Sequence, residues 1–450
     1  MILRKVQYTA DHRNTGSARG CFNRAIDRHG AECGTVRILI AGGGIGGLTT
    51  ALALHAAGHE VEVVEASAQL RPLGVGINVL PHAVGVLSGL GLGDALARLA
   101  IPTLEVAFYT RHGQRIWQDG RGLDAGYPFP QYSVHRGELQ MLLYRTACER
   151  LGAARVLTGM RLDRFEEDIS TVSARFVSRD GVRTTRTAEL LLAADGIHSA
   201  ARRQLYPHEG APRWSRNILY RGVTRSRPFL SGRTMVQMGN AAQKFVCYPI
   251  SRAAYDEGAS LTNWIACVRA DEGEALQPED WNRRADVESF IHRYADWIFP
   301  DLDIRELIRG ADEVFEFPMV DRDPLPQWTF GRMTLVGDAA HPMYPIGSNG
   351  ATQAIMDAQA LETAFAAHGD DWRAALAQYE AQRRSATAAL TLANRREGLD
   401  RILDIVEARA PDGFTDLEAV LPARELEAIV SEYKTLAGHH VTTTAARESR

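Results

Sequence analysis

The sequence predicts an α/β fold, in which a βαβ nucleotide-binding unit is interrupted by a mainly antiparallel sheet and followed by C-terminal helices. Three observations predict it. An apolar strand from Val36 to Ile40 runs into a turn with Gly42, Gly44 and Gly47 spaced G-x-G-x-x-G. A second apolar run, Leu190 to Ala194, ends in the turn DGIHSAAR, and a third strand, Met333 to Val336, ends at Asp338 and a proline- and glycine-rich loop. Between the second and third, the segments ILYRGV, TMVQMG, KFVCYPI and TNWIACV read as short β segments separated by turns.

Taken in order, the first strand and turn lead into a helix from about Ile45 to Ala57. A strand from Val61 to Val64 then ends in Glu65, placed to accept ribose hydroxyls. With that βαβ frame the unit is Rossmann-like, and the acid favours an unphosphorylated adenosine ribose. Glycine spacing alone would also suit a tightly packed strand–helix turn. Gly89, Gly91 and Gly93 lack the third glycine and the preceding strand of such a site, so they read as a helix connection. The stretch RPLGVGINVLP is expected as an apolar loop, followed by a helix from Pro81 to Leu99 with Pro81 in its first turn. A hairpin is expected from Leu104 to Trp117 around Gly113. An amphipathic helix carries Leu139, Leu142, Leu143, Thr146 and Ala147 and stops at Gly152. Strands follow over 155–157, 161–167 and 171–177. Helical segments are expected at Asn282 to Trp297, Arg305 to Ile308, Ala351 to Ala367, Trp372 to about Glu407, and Pro422 to Tyr433.

Composition narrows the function classes. A 450-residue chain with 45% hydrophobic residues can build two or three ordinary cores. A formal charge of −4 gives no basic face for nucleic acid, and no stretch reads as a membrane span. The five cysteines (Cys21, Cys33, Cys148, Cys247 and Cys267) are scattered without C-x-x-C spacing, which argues against a disulfide frame or a zinc site and for a reducing cytoplasmic setting. Residues 1–35 are polar and without apolar periodicity, and are expected to be a disordered extension.

The chemistry sits at two strand ends. In LVGDAAHPMYPIGSNGATQA, Asp338 follows the strand, while Pro342, Pro345, Gly347 and Gly350 forbid regular structure until a helix begins at Ala351. A helix amino terminus aimed at an isoalloxazine ring would stabilise the negative charge of a reduced flavin, and Asp338 would accept ribityl hydroxyls. The other strand end gives D-G-x-x-S-x-x-R through Asp195, Ser199 and Arg202. Asp195 there either serves a cofactor or caps the helix and pairs with Arg202.

These three ordered motifs resemble the single-component aromatic hydroxylases, the class A FAD-dependent monooxygenases. The resemblance spans Val36 to about Asn394. RPLGVGINVLP, QYSVHRGELQMLL, YRGVT, YPI and FPMVDRDPLP further resemble the phenazine carboxylate monooxygenases of the pyocyanin pathway. Tyr220 departs from that branch, where tryptophan stands, and FVCYPI also differs. The resemblance implies a p-hydroxybenzoate hydroxylase-like fold: a discontinuous FAD-binding domain over 36–102, 131–211 and 320–395, a β-sheet substrate domain over 103–130 and 212–319, and a helical tail over 396–450. It also implies FAD with NADH or NADPH as reductant, dioxygen as co-substrate and an aromatic substrate. A monomer or homodimer is expected, the helical tail from Arg396 offering a surface either for dimerisation or for simple domain packing. Gly42, Gly44 and Gly47 would meet the FAD pyrophosphate, Glu65 the adenosine ribose, and Arg136 the flavin's phosphate or ribityl side. Asp338, with Gly347, Asn349 and Gly350, would hold the ribityl and flavin end. Asp195 and Arg202 belong to the motif shared by FAD and nicotinamide.

In that family the reactive group is a flavin hydroperoxide, so no catalytic side chain, triad or metal is expected. The protein must instead exclude water and orient the ring. Expected pocket residues are Gly76, Tyr220, Arg221, Tyr248, Trp264, Met319 and Pro345. Arg221 is placed either for a substrate carboxylate or on a solvated surface, and Tyr248 either for a substrate hydrogen bond or for packing. His341 reads as a structural hydrogen-bonder. A flavin-dependent halogenase would carry W-x-W-x-I-P, which DWIFPD does not supply. A non-catalytic flavin-binding protein would keep the FAD motifs without a dry pocket.

Overall fold

The computed structural model describes residues 35–72, 74–273 and 283–436. The expected extension therefore falls, apart from Thr35, outside the described residues. Apolar runs that are buried in the central strands build a six-stranded sheet from Thr329–Phe330, Met333–Leu335, Leu190–Ala193, Arg37–Ala41, Glu60–Val64 and Val156–Leu157, in that spatial order. Its central strands are parallel, with Ile38 opposite Leu190 and Val61, and Leu191 opposite Met333. RILIA and LLLA lack polar alternation because both sides of the parallel sheet are covered, one by helices such as Ile45–Ala56 and the other by a three-stranded antiparallel sheet, Met160–Glu167, Val172–Ser178 and Arg183–Ala188, that packs Leu162, Val172 and Phe176 into the same core. The helix Ile45–Ala56 lies against Gly350–His368 so closely that a Cβ at Gly46 would stand 3.0 Å from that of Ala354.

A second, seven-stranded sheet orders Val314–Asp321, Arg213–Ser226, Ser260–Arg269, Gln243–Pro249, Thr234–Gly239, Glu105–Tyr109 and Arg115–Gly120. All its pairs are antiparallel except Thr234–Gly239 with Glu105–Tyr109. One face packs on Phe290, Ile291 and Tyr294. The helices Arg401–Arg409 and Ala423–Leu436 pack on Val106, Phe108 and Ile116 through Ile402, Val406 and Ile429. The fold is thus mixed α/β, with the expected β-sheet second layer and helical tail.

Four local expectations give way. The apolar loop over 71–81 contains a strand, Gly76–Val79, paired with Gln131–His135, which also lacked a local strand signal. The helix over 81–99 divides into Pro81–Gly89 and Gly93–Leu99, because Gly91 turns the chain with a φ of +76°. The helix expected from Asn282 reduces to two short 3₁₀ turns, Val287–Ser289 and Ile291–Tyr294, Asn282 itself lying outside the described residues. Asp286 caps the first turn, and Phe290 and Tyr294 are drawn into the sheet face rather than onto a helical stripe. The long helix from Trp372 stops at Arg395, since Glu397 takes a left-handed φ of +70° and redirects the chain into Arg401–Arg409.

Candidate active site

A cavity of about 360 Å³ opens where the carboxyl ends of the parallel strands, the amino end of Gly350–His368 and one face of the seven-stranded sheet converge. The glycines of the first turn act differently from one another. Side chains at Gly42 and Gly47 would stand 2.2 Å from the Ala194 carbonyl and 2.0 Å from the Gly42 carbonyl, so both positions are closed by backbone. Gly44 lines the cavity, and a Cβ there would meet nothing within 4 Å. Backbone can therefore approach a pyrophosphate at the start of the helix Ile45–Ala56. Glu65 stands at the end of Glu60–Val64 and accepts from Gly43 N at 2.6 Å and Ser67 N at 2.7 Å. Arg136 starts the helix Arg136–Leu151 and lines the same cavity.

Across the cavity, Asp338 lies on a 3₁₀ turn, Gly337–Ala339, open to the cavity yet deep within the molecule. Burial raises its carboxyl above the usual range, partly opposed by His341 and Arg136. The turn is held from two sides. Arg202 is 1% exposed and donates to the Ala339 and Ala340 carbonyls at 3.1 and 3.0 Å, while its remaining donors meet Glu209 and the Asp323 carbonyl. Asp357, fully buried, accepts from Gly337 N at 2.9 Å, His341 Nε2 at 2.6 Å and Arg383 Nε at 2.8 Å. Burial pushes the Asp357 carboxyl up, but His341 and Arg383 outweigh it and bring it to about 2. Gly347, at a φ of +68°, faces Tyr433, whose hydroxyl would lie 1.9 Å from a Cβ placed there. That hydroxyl accepts from Asn349 Nδ2 at 2.8 Å.

Arg202 thus points away from the cavity and anchors the Asp338 turn, correcting its expected place beside a cofactor. The D-G-x-x-S-x-x-R motif caps a helix, with Asp195 Oδ2 accepting from Ala200 N at 2.7 Å and Ser199 from Arg202 N at 2.9 Å. Asp195 Oδ1 and Asn349 Oδ1 are both buried polar atoms without a protein partner, and Gly350 leaves its Cβ direction open. A flavin dinucleotide fits this combination of open backbone and unsatisfied acceptors.

On the sheet side, Gly76, Arg221, Tyr248, Met319 and Pro345 line the cavity. The Gly76 carbonyl accepts from Arg221 Nη2 and from the Tyr248 hydroxyl, each at 2.9 Å. Burial pushes the Tyr248 phenol up to about 12, so it acts as a neutral hydrogen-bonding group. Arg221 Nε is buried without a partner, and among the described residues no carboxylate pairs with this guanidinium. Tyr220 and Trp264 do not belong to the cavity. Successive strand residues face opposite sides, so Leu219 and Arg221 point inward while Tyr220 stacks on Phe290 at 3.9 Å. Trp264, fully buried, lies over Gly222 and donates to Thr224 Oγ1 at 3.1 Å. Sequence reasoning missed Gln237, Lys244, Ile265, Cys267 and Asp400, which complete the wall.

A family model described as "FAD binding domain" matches residues 35–393. The chain belongs to the FAD-binding domain family. It is 44% identical over 363 residues to a phenazine 1,6-dicarboxylic acid hydroxylase of Lysobacter antibioticus, covering 80% of this chain and 89% of that protein. It is 34% identical over 357 residues to a 3-amino-4-hydroxybenzoate 2-monooxygenase of Streptomyces platensis, covering 76% of this chain and 83% of that one. Among solved structures, HpxO of Klebsiella pneumoniae complexed with FAD and uric acid superposes with a TM-score of 0.67 at 24% identity, over 89% of this chain and 92% of that chain, a likeness of fold. This member of the family is an FAD-dependent aromatic-ring monooxygenase with NAD(P)H as reductant. Among its described residues no helix is long and apolar enough to cross a membrane.

Proposed function

We propose that the substrate is a heteroaromatic carboxylate seated with its carboxylate on Arg221. The observation that carries this is a half-buried arginine whose Nε is buried and whose guanidinium is unpaired by any acid among the described residues, in the wall of the cavity that also holds Asp338 and Asn349. A buried cation without an anion is costly, and a planar carboxylate matches its fork of donors. The two relatives named above act on carboxylated rings, by their names, which supports the same reading.

In this reading Gly42, Gly44 and Gly47 shape the FAD pyrophosphate site, with Glu65 at the adenosine ribose, Arg136 at the phosphate or ribityl side and Asp338 at the ribityl hydroxyls. Asp195 and Asn349 offer acceptors, and Gly347 and Gly350 present backbone to the flavin end. When bound, FAD supplies hydride acceptance from NAD(P)H and the activation of dioxygen. The chain's own part is positional. Arg221 and Tyr248, both tied to the Gly76 carbonyl, set the ring's angle, while Leu219, Ile265, Met319 and Pro345 keep water out. The amide end of Gly350–His368 favours negative charge beside it.

Hydroxylation at the carboxylate-bearing carbon would release carbon dioxide. Overall, the carboxylate, dioxygen, NAD(P)H and two protons would give the phenol, carbon dioxide, water and NAD(P)⁺. The test is NADH and NADPH oxidation by the FAD-loaded protein with a panel of aromatic carboxylic acids and their carboxylate-free counterparts, followed by product mass. Stimulation by carboxylates alone supports the reading, and product mass separates replacement of the carboxylate from simple oxygen gain. Equal stimulation by carboxylate-free rings would overturn it.

A further inference from the structure

We infer that the cavity selects rings bearing one carboxylate over rings bearing two, because the second cation of its sheet wall, Lys244, is already held by Asp400, while Arg136 stands on the cofactor side. This rests on the reading that a carboxylate seats on Arg221. Arg221 pairs in register with Ile265, and Ile265 with Val246. Lys244 lies two residues before Val246, on the same face. Two strand spacings of ~4.8 Å and two residues of ~3.4 Å put the two Cα atoms roughly 12 Å apart, so the cations stand at opposite ends of a ring-sized space.

Their electrostatic states differ. Arg221 has no acid partner among the described residues, whereas Lys244 forms an ion pair with Asp400, the side chains being 14% and 4% exposed. Behind Asp400 stand two more acids, Glu397 and Asp404, the latter accepting from Ala241 N at 2.7 Å. With one proton retained on Glu397, Lys244 and the three carboxyls carry a net charge of −1. A second substrate carboxylate arriving there would have to displace Asp400 from Lys244 and leave a buried carboxylate without its cation. Such an arrangement discriminates by repulsion. A hydroxyl, amino or ring N–H group at that edge would instead find Asp400 as an acceptor.

The test compares phenazine-1-carboxylate with phenazine-1,6-dicarboxylate on the FAD-loaded enzyme, reading Kd from the flavin absorbance change and turnover from NADH oxidation. The wild type is expected to bind the monocarboxylate at least about tenfold more tightly, and Asp400→Asn, which frees Lys244, to narrow that ratio about tenfold. Equal or tighter binding of the dicarboxylate by the wild type would overturn the inference, whatever the variant does. So would an unmoved ratio in an Asp400→Asn enzyme of unchanged FAD content and Tm. Arg221→Met separates the two levels: if it weakens both acids while the wild-type ratio is near one, only the selectivity fails. If it weakens neither, the carboxylate reading fails, and the selectivity with it.

Discussion

The Asp338 turn and the facing sheet wall share one cavity but treat their arginines in opposite ways. On the turn's side two buried arginines, Arg202 and Arg383, are saturated by Glu209, by Asp357 and Gln353, and by backbone carbonyls. On the sheet side Arg221 shares the Gly76 carbonyl with the Tyr248 hydroxyl and has a buried donor left over. A buried charge whose partners are all protein atoms holds a structure in place, while one left short of partners is kept for a ligand.

The same substitution at the two places therefore gives the sharpest contrast. Arg383→Met strips a partner from fully buried Asp357 and loosens the turn that Asp357 holds through Gly337 N and His341. It is expected to lower stability by about 3 kcal/mol and to reduce FAD retention, read by urea denaturation and flavin content. Arg221→Met removes a half-buried charge that no acid among the described residues balances. Stability should stay level or rise by about 1 kcal/mol, while KM for the aromatic carboxylate rises about a hundredfold with FAD content intact. If both variants lost stability equally, the distinction between anchoring and ligand-binding arginines would break.

The glycine turn sharpens it on the cofactor side alone. Gly44→Ala adds a methyl that meets no protein atom within 4 Å, so the fold should survive while FAD binds about tenfold more weakly. Gly47→Ala, with backbone 2.0 Å from its Cβ, should cost stability as well. Titration of the apoprotein with FAD, beside thermal melts, separates these outcomes.

How far each side was legible follows from where its information lies. The cofactor side is written locally: glycine spacing, an acid at a strand end and a proline–glycine loop each impose their geometry within a few residues, and those motifs led to the right elements. Asp357 was readable too, as an acid flanked by buried Ile355 and Ala358 on an apolar helix face. The sheet side is written between distant segments. Gly76–Val79 becomes a strand only through Gln131–His135, and Lys244 meets Asp400 across 156 residues. Both Tyr220 and Arg221 were expected in the pocket, although alternation puts adjacent strand residues on opposite faces; which of them faces the cavity depends on what packs behind, here Phe290. The break at Glu397 had a local sign in Gly398, masked by the helical composition around it.

The smallest expected effect concerns that break. The hydrogen bond to Asp404, then burial and the neighbouring charges of Asp404 and Asp400, hold the Glu397 carboxyl up at about 8 against the pull of Lys244. The folded protein thus keeps a proton that the unfolded chain releases near 4.5. A raised carboxyl contributes its full stability below the unfolded value and loses it progressively as pH rises toward 8. The wild-type Tm should consequently fall more between about pH 5 and about pH 9 than that of Glu397→Gln, which has no proton to lose there. The same deprotonation adds a negative charge behind Asp400, so KM for an anionic substrate should climb above pH 8 in the wild type and stay flatter in the variant. Parallel Tm and KM profiles in the two proteins would mean that the proton on Glu397 does not bear on the cavity, and the pH dependence of the sheet side would have to come from elsewhere.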